Sequence, residues 1–542
     1  MSVWLRRWEK YGVGTILWLG IALATVLRLR YGQMGPAQWD DVDFALALQR
    51  YDLAAMQPHF PGYPVYVLAG LCVQGVIGEP YRALAVLSAL SSGAGVGLLY
   101  LAVRPWFGRG LALAAALLYS GLPLTWVLGT QAMSDAFGAL LAIALAAACV
   151  QVLQPHSARK KAFWLLAAGT LYGLLLGVRS SYLALGVLPL WVAYEYIRVQ
   201  RSAWSDVLVA VVASACVCLG WVYAMVINSG GWLPFWQMAT SFTEGHFSDW
   251  GGTYSADQPF FARLNIWLTR QILGAGFGTP WGTYQESISR WVIALLLLIA
   301  GAGILFSAGR KIQKSRQELK QESQQDDYPG ILQGEMSAIS RNPLFKNLIR
   351  DRKVSYLLIW LLPYAIWAFF AQNVEKPRHI LPMLAPLCVV VACGLQVWGR
   401  RAILAGTTGL VLCMSSIGIS TVVEGAHEPA PTVQLAEFLH TQGTNFVVFT
   451  YEEERIIHYL YPQIQTLRLR HYEDFKTAVL NHPNTRILLT DSVLQGLGHP
   501  EVEALCKPLR SFHGNPWLYP TYHDIILYEA DTELINLLNH SR

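Results

Sequence analysis

The chain has 542 residues, 54% of them hydrophobic and only 14% charged, with a formal net charge of +5. A soluble domain carries about a quarter charged residues, so most of this chain is excluded from facing water. Its basic residues sit in short loops between apolar runs, which makes them topology signals and speaks against nucleic acid as a partner.

The chain opens with Arg6, Arg7 and Lys10 before the apolar run Val13–Leu27. No small-residue cleavage site follows, so this reads as an uncleaved first span. Ten further runs follow: Ala83–Val103, Leu111–Leu128, Ala136–Leu153, Ala162–Val178, Leu183–Ile197, Val207–Ile227, Trp291–Phe306, Val354–Phe370, Ile380–Trp398 and Ala402–Val422. Each is close to the length that crosses a hydrocarbon core of about 30 Å. Tyr63–Ile77 is apolar but short. Lys and Arg favour cytoplasmic loops, and Arg104 with Arg109, Arg159–Lys161, Arg198 with Arg201, Arg310–Lys353 and Arg400 with Arg401 alternate consistently if Tyr63–Ile77 lies along the outer leaflet without crossing. The expectation is a mainly α, polytopic protein of the cytoplasmic (inner) membrane with about eleven spans over residues 1–423. Its N-terminus is then inside, and the loops after the first, third, seventh and ninth spans are outside.

From Glu424 onward the tail alternates β-rich runs (Phe446–Thr450, Thr466–Leu469, Arg486–Thr490) with helical stretches, the pattern of a small extracytoplasmic α/β domain with a parallel sheet. It has no Gly-rich phosphate loop, so no cofactor is assigned. Of eight cysteines only Cys506 lies outside an apolar run, and their spacing indicates neither disulfides nor zinc.

The first outer loop carries three acids within four residues, Asp40, Asp41 and Asp43. A helix begins beside them, with Asp40 expected at or near its N-cap and Asp43 as the acidic arm of a capping box. Capping leaves the third acid unexplained. Asp135 opens a span on the same side, where the helix dipole also favours an acid. His59 stands in a rigid Pro-rich turn, Gln57–Pro64, that leads into Tyr63–Ile77. The outer loop Gln372–His379 holds Lys376, Arg378 and His379, against the positive-inside preference. A lipid phosphate would supply their countercharge, as would membrane-lipid headgroups or Glu375. Arg179, between two tightly joined spans, is a weaker candidate of the same kind. The long outer loop offers His246 and Asp249 among tryptophans that also suit an interfacial aromatic belt.

These residues carry a resemblance. An acidic pair after the first span, a His/Pro turn, a second aspartate opening a later span and a Lys-x-Arg-His-x-x-x-Pro loop resemble the GT-C glycosyltransferases, specifically the family 39 group related to protein O-mannosyltransferases and aminoarabinose transferases. The resemblance implies a polyprenyl-phosphate-linked sugar donor, a glycan, lipid or protein acceptor, and inversion at the outer membrane face. It makes Asp40 the general base, with Asp41 where Glu is usual, Asp135 as the second-loop acid and Arg378 near the donor phosphate. His59-Phe60-Pro61 departs from the common His-Pro-Pro. No metal ligand is assigned, and dependence on a divalent cation stays open because related oligosaccharyltransferases use one. The rival readings are a transporter or flippase, an O-antigen-ligase-like enzyme using Arg263 and His246, and an assembly protein working through its tail.

Overall fold

The structure, a computed structural model, describes residues 3–248, 251–254, 259–281, 287–325, 351–443, 445–469, 471–482 and 484–540. The side chains of Arg6, Arg7 and Lys10, the central part of the loop Arg310–Lys353, and Asp249 and Trp250 lie outside the described residues.

The apolar runs fold as helices. In order these are α1 (Val3–Arg30), α2 (Trp39–Gln49), α3 (Pro64–Ile77), α4 (Pro80–Gly121), α5 (Pro123–Leu128), α6 (Asp135–Val152), α7 (Ala158–Val178) and α8 (Val187–Val199). They continue with α9 (Trp204–Asn228), α10 (Trp232–Ser248), α11 (Phe260–Asn265), α12 (Ile288–Gln325), α13 (Arg352–Ala371), α14 (Leu381–Val397) and α15 (Arg400–His427). Each of the eleven expected runs falls wholly or largely on these elements. Among the described residues, eight helical stretches are long and apolar enough to cross a membrane. Pro80–Gly121 counts once, although non-helical torsions at Gly108 split α4 into two arms. The run Leu183–Ile197 begins as a 3-10 turn, Ser180–Gly186, before entering α8.

With 14 residues, α3 is about 21 Å long, too short for a core of about 30 Å. Tyr66, Val67 and Gly70 are buried against the bundle, while Leu68, Leu71 and Val76 point outward. An apolar outward face on a short helix is what lying at lipid level requires.

Small residues let the helices approach. Gly169, Gly173 and Gly177 line one face of α7, each one turn from the next. Against them lie the Ala210 and Ser214 carbonyls, Val217 and Trp221 of α9. The Trp221 indole donates to the Gly173 carbonyl at 3.1 Å. Elsewhere in the bundle core, buried Arg28 of α1 donates to the carbonyls of Ser120 (3.2 Å) and Thr125 (3.3 Å) and lies over the Trp126 ring. It thereby ties α1 to the end of α4.

Beyond α15 come α16 (Pro431–Thr441), β1 (Phe446–Thr450), α17 (Glu453–Leu460), β2 (Thr466–Arg468), α18 (Tyr472–Leu480) and β3 (Arg486–Thr490). The chain ends with α19 (Asp491–Leu497), α20 (Pro500–Ala504), β4 (Cys506–His513), β5 (Asp524–Ala530) and α21 (Glu533–His540). The sheet order is β2-β1-β3-β5-β4. The first three strands are parallel as the sequence suggests, and the last two run antiparallel. The antiparallel pair escapes sequence reading because β4 is exposed at most positions and lacks a clear apolar alternation.

One expected outcome tests the packing. Gly169→Val drives a side chain into the Ala210 carbonyl, and overpacking of this kind costs about 1–3 kcal/mol. Thermal unfolding in detergent should show a lowered Tm, and an unchanged Tm would refute the close approach of α7 and α9.

Candidate active site

Local sequence decides how α2 presents its acids. The N-cap is Gln38, two residues before the expected start, and the acidic arm of the capping box is Asp41. Its Oδ2 accepts from Gln33 Nε2 (2.7 Å), Ala37 N (3.1 Å) and Gln38 N (3.2 Å). With its donors converging mainly on one oxygen, the other is suited to carry a proton. Burial pushes this carboxyl up, to about 8, against the pull of those hydrogen bonds. Asp41 is thus the acid consumed by the fold, and it does not line the cavity described below.

Asp40 and Asp43, three residues apart, share the other face. Asp40 is paired with Arg378 Nη2 at 2.7 Å. Burial raises the Asp40 carboxyl, but Arg378, His59 and Lys376 outweigh it and hold it below the usual carboxylate range. Asp43 is fully buried and meets His59 (2.9 Å) and Arg455 (2.8 Å).

The turn that delivers His59 is pinned from the bundle. Asn228, at the end of α9, accepts from Leu53 N (3.0 Å) and donates to the Tyr51 carbonyl (2.8 Å). Gly62 has φ +84, and a Cβ there would stand 2.6 Å from the Tyr51 hydroxyl and 2.7 Å from Met225 Sδ. Only glycine fits. His59 faces Asp43 and the Tyr63 hydroxyl.

Asp135, at the start of α6, is fully buried and paired with Arg179 at 2.5 Å. Arg179 therefore has a specific acid partner. The loop carrying Lys376, Arg378 and His379 is fixed at its root. Arg263 is fully buried and donates to the carbonyls of Phe369 (2.7 Å), Gln372 (2.6 Å) and Gly252 (3.0 Å). His246 Nε2 lies 2.9 Å from the Ala371 carbonyl. Both residues hold the end of α13, and this use counts against the ligase-like reading. The His379 carbonyl accepts from the Tyr364 hydroxyl at 2.9 Å.

A cavity with about 700 Å³ of empty space, open to solvent, gathers Asp40, Lys376 and Arg378. Its opposite wall belongs to the C-terminal domain: Glu452 and the loop Trp517–Tyr522. That wall is held in place where Gln131 donates to the Leu518 carbonyl (3.2 Å), Thr432 to the Ala37 carbonyl (3.3 Å) and Asn515 to Glu424 (2.7 Å). The structure thus brings Asp40, Lys376 and Arg378 around one cavity, with His59 behind them. Asp135 and Arg179 form a buried pair beside them, within electrostatic reach of Arg378. Sequence reasoning missed Arg455, Tyr63 and the aromatic wall. The only early signal was the unexplained third acid, since Arg455 lies 412 residues away from Asp43. Among the described residues no group of three or more His, Cys, Asp or Glu is placed to hold a metal ion.

An acid and two cations facing one cavity at the end of a bundle of apolar helices define a class by build: polytopic proteins with a charged site at one end of the helix bundle. The particular likeness follows from comparison. Residues 64–223 match the family model described as dolichyl-phosphate-mannose-protein mannosyltransferase. The structure is similar to ArnT from Cupriavidus metallidurans in the apo state, over 96% of this chain and 99% of that one, with TM-score 0.53 and 12% identity. The same protein bound to undecaprenyl phosphate is similar over 94% and 97%, with TM-score 0.52 and 13% identity. The Archaeoglobus fulgidus oligosaccharyltransferase with a tethered acceptor peptide aligns over 90% and 70%, with TM-score 0.46 and 11% identity. No match is found among curated proteins. The chain has the GT-C glycosyltransferase fold, and the likeness to ArnT is broad enough to take in the C-terminal domain.

Two outcomes are expected here. Asp41 binds its proton more tightly folded than unfolded, so its contribution to stability is full below about pH 4 and declines as pH rises towards about 8. Asp41→Asn should fold normally and flatten the stability–pH curve in that window; a variant that fails to fold would contradict a neutral Asp41. Asp135→Asn leaves Arg179 buried without its acid and should cost about 3–5 kcal/mol, read as a loss of Tm that Asp135→Asn combined with Arg179→Met partly recovers.

Proposed function

We propose that this protein is a membrane glycosyltransferase that moves a sugar from a polyprenyl-phosphate donor to an acceptor hydroxyl, with inversion, at the outer face of the cytoplasmic membrane. The observation that carries the reading is the Asp40–Arg378 pair in one cavity with Lys376. It supplies a base and a phosphate clamp side by side, on a fold shared with a protein solved bound to undecaprenyl phosphate.

The acceptor oxygen attacks the anomeric carbon while Asp40 takes its proton. A bond forms between that oxygen and the carbon, and the bond from the carbon to the phosphate oxygen breaks. The polyprenyl phosphate leaves with the electron pair, and Lys376 and Arg378 stabilise the charge it acquires. Attack opposite the leaving phosphate inverts the anomeric centre. Arg378 has two roles in sequence. Paired with Asp40, it keeps the carboxylate a weak base. A donor phosphate competes for the same guanidinium, and as Arg378 turns to it the hold on Asp40 relaxes and basicity rises. The donor thereby arms its own base.

Asp135 acts on this reading through Arg179, whose charge it fixes beside Arg378. Asp41 shapes the loop before α2 and is not the base. The aromatic wall of the C-terminal domain gives the acceptor its place opposite the cations.

Transfer from a polyprenyl-phosphate sugar in membranes or nanodiscs tests the reading. Asp40→Asn should lower kcat by about 100-fold or more, and Arg378→Ala should mainly raise KM for the donor. Full transfer by Asp40→Asn would sink the assignment of the base. Activity that ignores Asp40, Lys376 and Arg378 together would sink the function.

A further inference from the structure

The third acid of α2 takes no part in the transfer as derived, yet it has more partners than Asp40. Asp43 Oδ2 accepts from Trp39 Nε1 at 3.1 Å and faces His59 Nδ1 at 2.9 Å. Its Oδ1 accepts from Arg455 Nε at 2.8 Å. Arg455 comes from α17 of the C-terminal domain, and its Nη2 also donates to the Met56 carbonyl at 2.9 Å. On the far side of the imidazole, His59 Nε2 lies 3.0 Å from the Tyr63 hydroxyl. Tyr63 in turn is within electrostatic reach of Arg179, Asp40, Arg378 and Asp135. A continuous chain of hydrogen bonds therefore runs from the C-terminal domain to the Tyr63 hydroxyl: Arg455, Asp43, His59, Tyr63.

The chain has a direction, set by which groups can donate. An ionised carboxylate only accepts, so a neutral His59 beside it carries its proton on Nδ1. Nε2 is then an acceptor, and the Tyr63 hydroxyl must donate to it. The phenolic proton is then committed to His59, and the oxygen offers lone pairs to other donors. If Asp43 were protonated, the same chain would reverse: the carboxyl donates to Nδ1, Nε2–H donates to Tyr63, and the phenolic proton is released. A carboxylate this buried keeps its charge only when it is paired, and the guanidinium that pairs it is Arg455.

We propose that Arg455 of the C-terminal domain, acting through Asp43, sets the tautomer of His59 and the direction in which the Tyr63 hydroxyl donates. Arg455 and Asp43 are positioning residues, and the docked C-terminal domain is part of the apparatus that orients the acceptor. The kinetic consequence rests on the glycosyltransferase reading; the tautomer does not.

Nitrogen-15 imidazole spectra of the full-length protein in nanodiscs, with His59 assigned by difference against His59→Gln, read the first arm. The expected wild-type state is protonation on Nδ1 alone. Arg455→Met and Asp43→Asn should each move the proton to Nε2, and Arg455→Lys should keep it on Nδ1. In transfer assays both neutral variants should lower kcat by about tenfold or more with the donor KM unchanged. The double variant should be no worse than either single one, as for residues acting as one unit. An Nε2–H or imidazolium wild type, a tautomer that ignores Arg455, or single effects that add would each overturn the proposal. Should Arg455→Met fail to fold, Asp43→Asn and Arg455→Lys still decide it. A wild type inert towards polyprenyl-phosphate sugars would defeat the glycosyltransferase reading, while the spectra would still judge the relay.

Discussion

The pairing of buried or half-buried acids with distant cations at one end of the bundle is the constraint on which the rest of this structure depends. Asp40 with Arg378, Asp43 with Arg455 and Asp135 with Arg179 join segments that are far apart in the chain. Removing one partner from such a pair leaves an uncompensated charge in a poorly solvated place, which is far worse than never having built the pair. The helices are therefore locked in a register that meets these charges, and the charges are locked in an arrangement that faces a cavity.

Each pair also has its own supporting frame. Arg378 stands on a loop whose root is clamped by Arg263 and His246 at the end of α13. The turn holding His59 is pinned by Asn228 of α9 and requires glycine at Gly62. Close packing of α7 on α9 fixes the helix that carries Asn228 and the helix that ends at Arg179. Rigid elements thus hold a site whose groups are few. This suits a reaction in which positioning and charge stabilisation do most of the catalysis.

Much of this was legible in the residues alone. Apolar runs of spanning length mark the helices because lipid leaves few other choices for backbone polar groups. The cations of Gln372–His379 stand out because they break a charge preference, and the structure sets Arg378 against Asp40. Local rules failed at α2, where a glutamine took the N-cap and moved the capping acid to Asp41. Sequence spacing could not reveal Arg455 or the wall Trp517–Tyr522, since the first reaches Asp43 and the second the cavity only through docking of a separate domain. Exposed β4 was invisible for a simpler reason, because it lacks the apolar alternation that announces a strand.

The short helix α3 carries a consequence of its own. Short for a hydrocarbon core and apolar on its outward face, it has the build of a helix suited to rest where acyl chains give way to headgroups. Tyr63 is its N-cap and His59 lies four residues earlier, so a helix resting there would set the height of both groups above the bilayer centre. Phosphates of membrane lipids occupy a thin stratum, and a clamp built a few ångströms too high or too low would miss them. On the proposed function, the working depth of the site would be gauged by this one short helix, largely independent of how long the crossing helices are.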